Sequence, residues 1–285
     1  MITAVEKATI LIEALPYIKK FHGKTIVVKY GGNAMINEEL KSAVINDLIL
    51  MQLVGMHPII VHGGGPEIND LLDRLQIEPH FINGLRVTDD ATMKVVEMVL
   101  IGKVNTDIVS HINKNGGRAV GLSGKDDNLL YCHPIEREFD LGFVGEVEKV
   151  NKGLLLSVMN DGYIPVIAPV GVGEGGQSYN VNADYAASKI AAALGAEKLV
   201  LLTNVKGLYA SVDDKERILS EISGEEAAKM IAEGVIVGGM IPKVKCCLEA
   251  LEGGVTSTHI IDGRQEHSIL LELLTNEGIG TMVTQ

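Results

Sequence analysis

Apolar and polar positions along the chain fall into two alternating kinds of segment. Short apolar runs, Thr25-Ile-Val-Val-Lys29, Pro58-Ile-Ile-Val-His62, Tyr163-Ile-Pro-Val-Ile-Ala168, Lys198-Leu-Val-Leu-Leu202 and residues 258–261, read as buried strands. Between them lie stretches with helical patterning: residues 38–54, closed by Gly55; a long run from a Thr88 or Asp89 cap past Ile101; 153–160; alanine-rich 185–194, closed by Gly195; 225–233; a run from Pro242 to Leu251; and 267–274. This predicts an α/β protein with an open sheet, whose chemistry belongs at the carboxyl ends of the strands. Residues 118–150 break the pattern with short strands (118–121, 129–132, 143–150) around a Lys125-Asp-Asp-Asn128 turn, and predict an antiparallel flap. Ahead of the first strand, Val5, Ala8, Ile12, Leu15 and Ile18 predict a helix over residues 3–21, bent or interrupted at Pro16. Such a helix either packs back on its own domain or serves as an oligomerisation arm.

Glycines cluster where strands end. Lys29-Tyr-Gly31-Gly32 places a lysine beside bare backbone, which suits an anion as well as a tight turn. His62-Gly63-Gly64-Gly65-Pro66 is harder to justify as a turn alone. Three glycines before a proline-led helix make a ring of NH donors at a positive helix end, a cradle for phosphate or oxyanion. Gly238-Gly239-Met-Ile-Pro242-Lys243 repeats that logic with a second lysine, and Asn180-Val-Asn182-Ala-Asp184 sets polar side chains at a helix start, where capping is their ordinary use. Arg86, after Gly84, offers a planar fork for a carboxylate but also fits a solvated surface. Gly171-Val-Gly-Glu-Gly-Gly176 spells a dinucleotide fingerprint, yet the extended residues after it read as a hairpin tip rather than a helix. An acidic Asp213-Asp214 turn follows the 203–209 loop.

Composition narrows the field. A net charge of −12 leaves no basic footprint for nucleic acid or an anionic membrane, so an anionic substrate needs locally placed cations. Three cysteines, two of them adjacent, make neither a disulfide framework nor a zinc site, no apolar run reaches membrane-spanning length, and a cytoplasmic protein is expected. No P-loop string, kinase catalytic-loop set or Ser-His-Asp pattern occurs. What remains is Lys29 and Lys243 from two halves of the chain, two glycine nests and Asp184. Phosphoryl transfer asks for this kind of charge compensation, and needs no general base if the acceptor is already a carboxylate.

Taken in order, Lys29-Tyr-Gly-Gly, His62-Gly-Gly-Gly-Pro, Asn83-Gly-Leu-Arg-Val-Thr, Asn180-Val-Asn-Ala-Asp and Gly238-Gly-Met-Ile-Pro-Lys resemble the motif set of the N-acetylglutamate kinases, in the amino acid kinase family, from about Lys24 to the end. The resemblance implies a three-layer α/β/α sandwich with a mainly parallel central sheet, and ATP-dependent phosphorylation of the side-chain carboxylate of N-acetyl-L-glutamate in arginine biosynthesis. It implies that Lys29 and Lys243 stabilise the transition state, that Asp184 orients them, and that Gly64, Gly65, Arg86 and Asn180 hold the acyl amino acid. The nucleotide would lie near Gly31, Gly32, Thr203, Asn204, Gly207, Gly238 and Gly239, with Mg²⁺ on its phosphates and no metal ligand from the protein. Asn204 departs from the aspartate usual in the family. The helix before Lys24, with its Leu15-Pro-Tyr17 bend, resembles the extra helix of the arginine-inhibited, hexameric members. A hexamer is therefore expected, with L-arginine near Tyr17, His267 and Glu277. Residues 1–23 would be the oligomerisation arm, 24–178 the acyl-amino-acid lobe and 179–285 the nucleotide lobe of one continuous domain. Rivals are another carboxylate or carbamate kinase of this fold, a nucleotide sensor without catalysis, and the nicotinamide reductase hinted at by Gly171.

Overall fold

Residues 3–211, 217–276 and 278–285 are described by a computed structural model; the Asp213-Asp214 turn and Glu277 lie outside them. Thr3 caps α1 (Ala4–Glu13) in a capping box with Glu6. The helix breaks at Ala14, and α2 (Leu15–Phe21) restarts with Pro16 in its first turn, where a missing N–H is harmless. Next, β1 (Thr25–Tyr30) passes through Gly31 and Gly32 into the short α3 (Asn33–Ile36) and then α4 (Glu38–Leu53), whose first amides bond to Asn37 Oδ1 at 2.9 and 3.0 Å. After β2 (His57–His62), the glycine run starts α5 (Gly65–Arg74). Before the long helix the chain makes a hairpin of β3 (Phe81–Ile82) and β4 (Leu85–Arg86), with Asn83 (φ 51°) and Gly84 (φ 80°) at the tip, a pairing that two-residue hairpins favour. The long helix follows from its Asp89 cap as α6 (Asp90–Glu97), a π-helical stretch (Met98–Asn105) and α7 (Thr106–Lys114).

The expected flap is corrected in part. β5 (Ala119–Ser123) belongs to the main sheet, while β6 (Leu130–Pro134) and β7 (Val144–Val150) form the antiparallel pair. Then come α8 (Gly153–Asn160), β8 (Ile164–Ala168), β9 (Val170–Val172) and β10 (Ser178–Val181). β6, β7, β9 and β10 close into a small barrel, and the Gly171 string is the β9–β10 hairpin, as its extended sequel suggests. The chain ends with α9 (Ala183–Leu194), β11 (Lys198–Thr203), β12 (Glu221–Ser223), α10 (Gly224–Ala232), α11 (Met240–Glu252), β13 (Ser257–Asp262), α12 (Ser268–Leu274) and β14 (Thr281–Thr284).

Eight strands form one sheet in the order β12-β14-β13-β11-β1-β2-β8-β5. All neighbours from β13 to β5 are parallel; β14 runs against β13, and β12 lies parallel to β14 at the edge. Alternation along β1 feeds two cores. Ile26, Val28 and Tyr30 meet α4 and the long 90–114 helix on one face, while Val27 meets α9 and α11 on the other. This is the three-layer α/β/α sandwich. Lys29 shares the face of Val27, so its side chain runs toward the start of α9.

Candidate active site

Asn182 Oδ1 caps α9 by accepting the amide of Asp184 at 2.8 Å, which sets Asp184 in the first turn, at the positive end of the helix. Ser188 Oγ donates to the carbonyl of Cys246 at 2.9 Å and ties α9 to α11, whose own first turn carries Lys243. A lysine at a helix amino terminus opposes the helix dipole; here Asp184 compensates. Lys243 Nζ lies 2.6 Å from Asp184 Oδ2, and Lys29 Nζ lies 3.1 Å from Oδ1. Two ammonium groups from strands and helices 214 positions apart (243 less 29) thus converge on one acid. Burial opposes ionisation of Asp184, but the two lysines outweigh it and hold the carboxyl below the usual aspartate range. Asp184 is therefore a carboxylate at neutral pH.

On one side of it lies a cavity of about 190 Å³, lined by Gly63, Gly64, Gly65, Arg86 and Asn180. It falls below the roughly 300–1,000 Å³ of most ligand clefts and suits a small acid. Arg86 is buried, stacks over Phe81 at 4.7 Å and donates through Nη2 to Asn69 Oδ1 at 2.6 Å, yet its Nη1 has no partner. Burial lowers its pKa and leaves a cation that wants an anion. Asn180 Nδ2 donates to Thr88 Oγ1 at 3.0 Å, and that hydroxyl donates to the Arg86 carbonyl at 2.8 Å, so Thr88 holds the two predicted contacts in one frame. Thr88 stood in the sequence as a possible helix cap and the end of the Asn83 string, with no binding role, and nothing marked Asn69. Gly64 is demanded by packing, because a Cβ there would stand 2.5 Å from Leu100 Cδ2, whereas Gly65 has open space.

On the other side, Lys29, Gly32, Thr203, Asn204, Gly239 and Lys243 line a cavity of about 370 Å³. Gly32 (φ 71°) has the left-handed backbone that favours glycine, and a Cβ there would meet Asn204 Oδ1 at 2.8 Å. At Gly31 a Cβ would stand 2.9 Å from Lys29 Nζ, so bare backbone leaves room for the ammonium. Gly238 (φ 58°) precedes the start of α11 with nothing near its Cβ position. Thr203 Oγ1 is committed to the carbonyls of Val205 and Ile261, so it shapes this loop. Gly207 does not line the cavity; it is buried against Thr281 and Ile218. Outside both cavity linings, Tyr17 donates to Asn276 Oδ1, which brings α2 to the segment after α12, and His267 Nδ1 lies 2.6 Å from Asp47 Oδ1 on α4.

A model of the amino acid kinase family matches residues 24–262. The acetylglutamate kinase of Heliobacterium modesticaldum is 58% identical over 99% of each chain. Among solved structures, N-acetylglutamate synthase from Neisseria gonorrhoeae, complexed with coenzyme A and N-acetyl-glutamate, superposes with a TM-score of 0.86 at 26% identity over 98% of this chain, which spans 63% of the synthase. Carbamate kinase from Giardia lamblia bound to AMP-PNP shares the fold, at a TM-score of 0.67 and 15% identity over 92% of this chain and 98% of that one. With its sheet order, its paired lysines and these relatives, the chain belongs to the amino acid kinase family, in the group of the acetylglutamate kinases.

Proposed function

We propose that the chain transfers the γ-phosphoryl group of ATP to the side-chain carboxylate of N-acetyl-L-glutamate, giving N-acetyl-L-glutamyl 5-phosphate in arginine biosynthesis. One observation carries the reading: Lys29 and Lys243 meet at Asp184 between a small glycine-lined cavity with an unpaired arginine donor and a larger one into which both lysines open. Arg86 and Asn180 would hold the acyl amino acid, with Arg86 on the carboxylate that does not react, and the amides of Gly64 and Gly65 would face the reacting end. Residues 24–178 would supply most of this lobe and 179–285 the nucleotide lobe. The lysines neutralise charge on the phosphoryl oxygens as it passes, and Asp184 keeps them placed. Mg²⁺ would enter on the nucleotide phosphates, since both oxygens of Asp184 are engaged by lysine. ADP release should depend on N-acetylglutamate far more than on glutamate or carbamate; equal rates with carbamate would favour the rival kinase.

L-arginine would act by feedback on a cytoplasmic hexamer of the chain. Val5, Leu11 and Ile12 on α1 are 76, 72 and 67% exposed, an apolar face suited to a second copy of the chain. The Tyr17–Asn276 bond gives α2 a mechanical link to the segment where the inhibitor would sit. Among the described residues, no helix is long and apolar enough to cross a membrane.

A further inference from the structure

Strand β2 ends at a histidine that phosphoryl transfer leaves without a task. His62 is fully buried and held at both ring nitrogens: Nδ1 is 2.8 Å from the carbonyl oxygen of Gly63, and Nε2 is 3.1 Å from Asn105 Nδ2. A carbonyl only accepts, so Nδ1 carries the proton; the amide nitrogen of Asn105 donates, so Nε2 is bare. Asn105 is oriented in turn by a 2.8 Å bond from Nδ2 to the carbonyl of Val166 on β8. Burial pushes the ring down to about 4, and it stays neutral at physiological pH. The surroundings are built to this contact. The π-helical stretch ends on Asn105, which is 5% exposed, and such stretches recur at functional sites. Across from it on β5, a Cβ at Gly121 would stand 2.0 Å from Asn105 Oδ1, so a side chain at that position would displace Asn105.

We propose, on the kinase reading of this site, that His62 and Asn105 are positioning residues for the acceptor, locking the Gly63–Gly64 peptide so that the Gly64 N–H faces the acceptor cavity. A peptide unit is planar and trans, so its carbonyl and the following N–H point in opposite directions. Holding the Gly63 oxygen against the imidazole turns the Gly64 N–H away from the ring, toward the cavity lined by the three glycines. Without that bond a Gly-Gly peptide flips at little steric cost, and the cradle would offer an anionic acceptor a carbonyl oxygen.

Two substitutions separate the roles of the ring nitrogens. His62→Asn keeps an amide donor near the Nδ1 position, whereas His62→Gln puts its amide near Nε2, where its oxygen can accept from Asn105, and leaves no donor at Nδ1. The expected result is a KM for N-acetylglutamate that rises about tenfold in His62→Gln and much less in His62→Asn, the scale of one misdirected hydrogen bond, with the KM for ATP unchanged in both. Equal KM values in the two variants, or a matching rise for ATP, overturn the proposal. Absence of N-acetylglutamate-dependent turnover in the unsubstituted protein would instead overturn the kinase reading itself. Assigned ring ¹⁵N resonances of the unsubstituted protein add a test that needs no variant to fold: a protonated Nδ1 with a bare Nε2 at His62 supports the lock, and the opposite tautomer or an imidazolium refutes it.

Discussion

Arg86 shows how much a single buried donor can say. Its Nη2 is satisfied and its Nη1 is not, in a cavity just large enough for a small acid. Replacing it with methionine keeps the length and removes the buried charge, so thermal stability should hold. The KM for N-acetylglutamate should rise about 10- to 100-fold, the scale of a lost charged hydrogen bond, while the KM for ATP stays put. A parallel rise in both would mean that Arg86 supports the fold rather than the acceptor. At this scale the sequence was informative for residues whose chemistry is costly to carry: lysines beside glycine, an arginine in a turn, an aspartate at a helix start. It was silent on Asn69 and Asn105, and on the bridging role of Thr88, because such roles depend on which neighbour the fold brings within hydrogen-bonding distance. Thr203 and Gly207 show the converse, since both fit a nucleotide motif yet spend their contacts on the protein itself.

Between elements, the contact of α4 with the residue before α12 yields a pH signature. Burial raises the Asp47 carboxyl to about 6, against a partly offsetting hydrogen bond from His267. A raised folded pKa means that the group adds stability when protonated. That increment is full below the unfolded value of 3.8 and is lost as pH rises through about 6. Relative to Asp47→Asn, the unsubstituted protein should therefore gain melting temperature as pH is lowered from about 7 to about 5. A difference that is flat or reversed over that range would contradict it. Element boundaries were legible wherever caps and glycines punctuate the chain, as at Gly55, Asn182 and Gly195. β12 and β14 were not, because three and four residues hold too little pattern to separate a strand from a loop. β5 was placed in the flap because a short apolar strand does not name its partner; that partner is β8, 45 positions on (164 less 119). The π-helical stretch left no trace, since its apolar residues also suit an α-helix.

For the whole molecule, the parallel order of the sheet places both lysines at one cleft, because β1 lies at its centre and α9 and α11 share one face. Five strings in a fixed order carried that arrangement in the sequence more securely than any one of them. The exposed apolar face of α1 belongs to this scale as well. Deleting residues 1–20 should yield smaller oligomers by size-exclusion chromatography and much weaker inhibition by arginine; unchanged size and inhibition would mean that α1 and α2 are no oligomerisation arm. If two converging ammonium groups carry a phosphoryl group onto a carboxylate, hydroxylamine should trap the acyl phosphate, at rates that can be compared between the unsubstituted protein and Lys243→Ala. Hydroxamate should form only with both ATP and N-acetylglutamate, and should fall by roughly two to three orders of magnitude in the variant, the scale of one preorganised charge. Hydroxamate formed as fast by Lys243→Ala, or none from the unsubstituted protein, would contradict it.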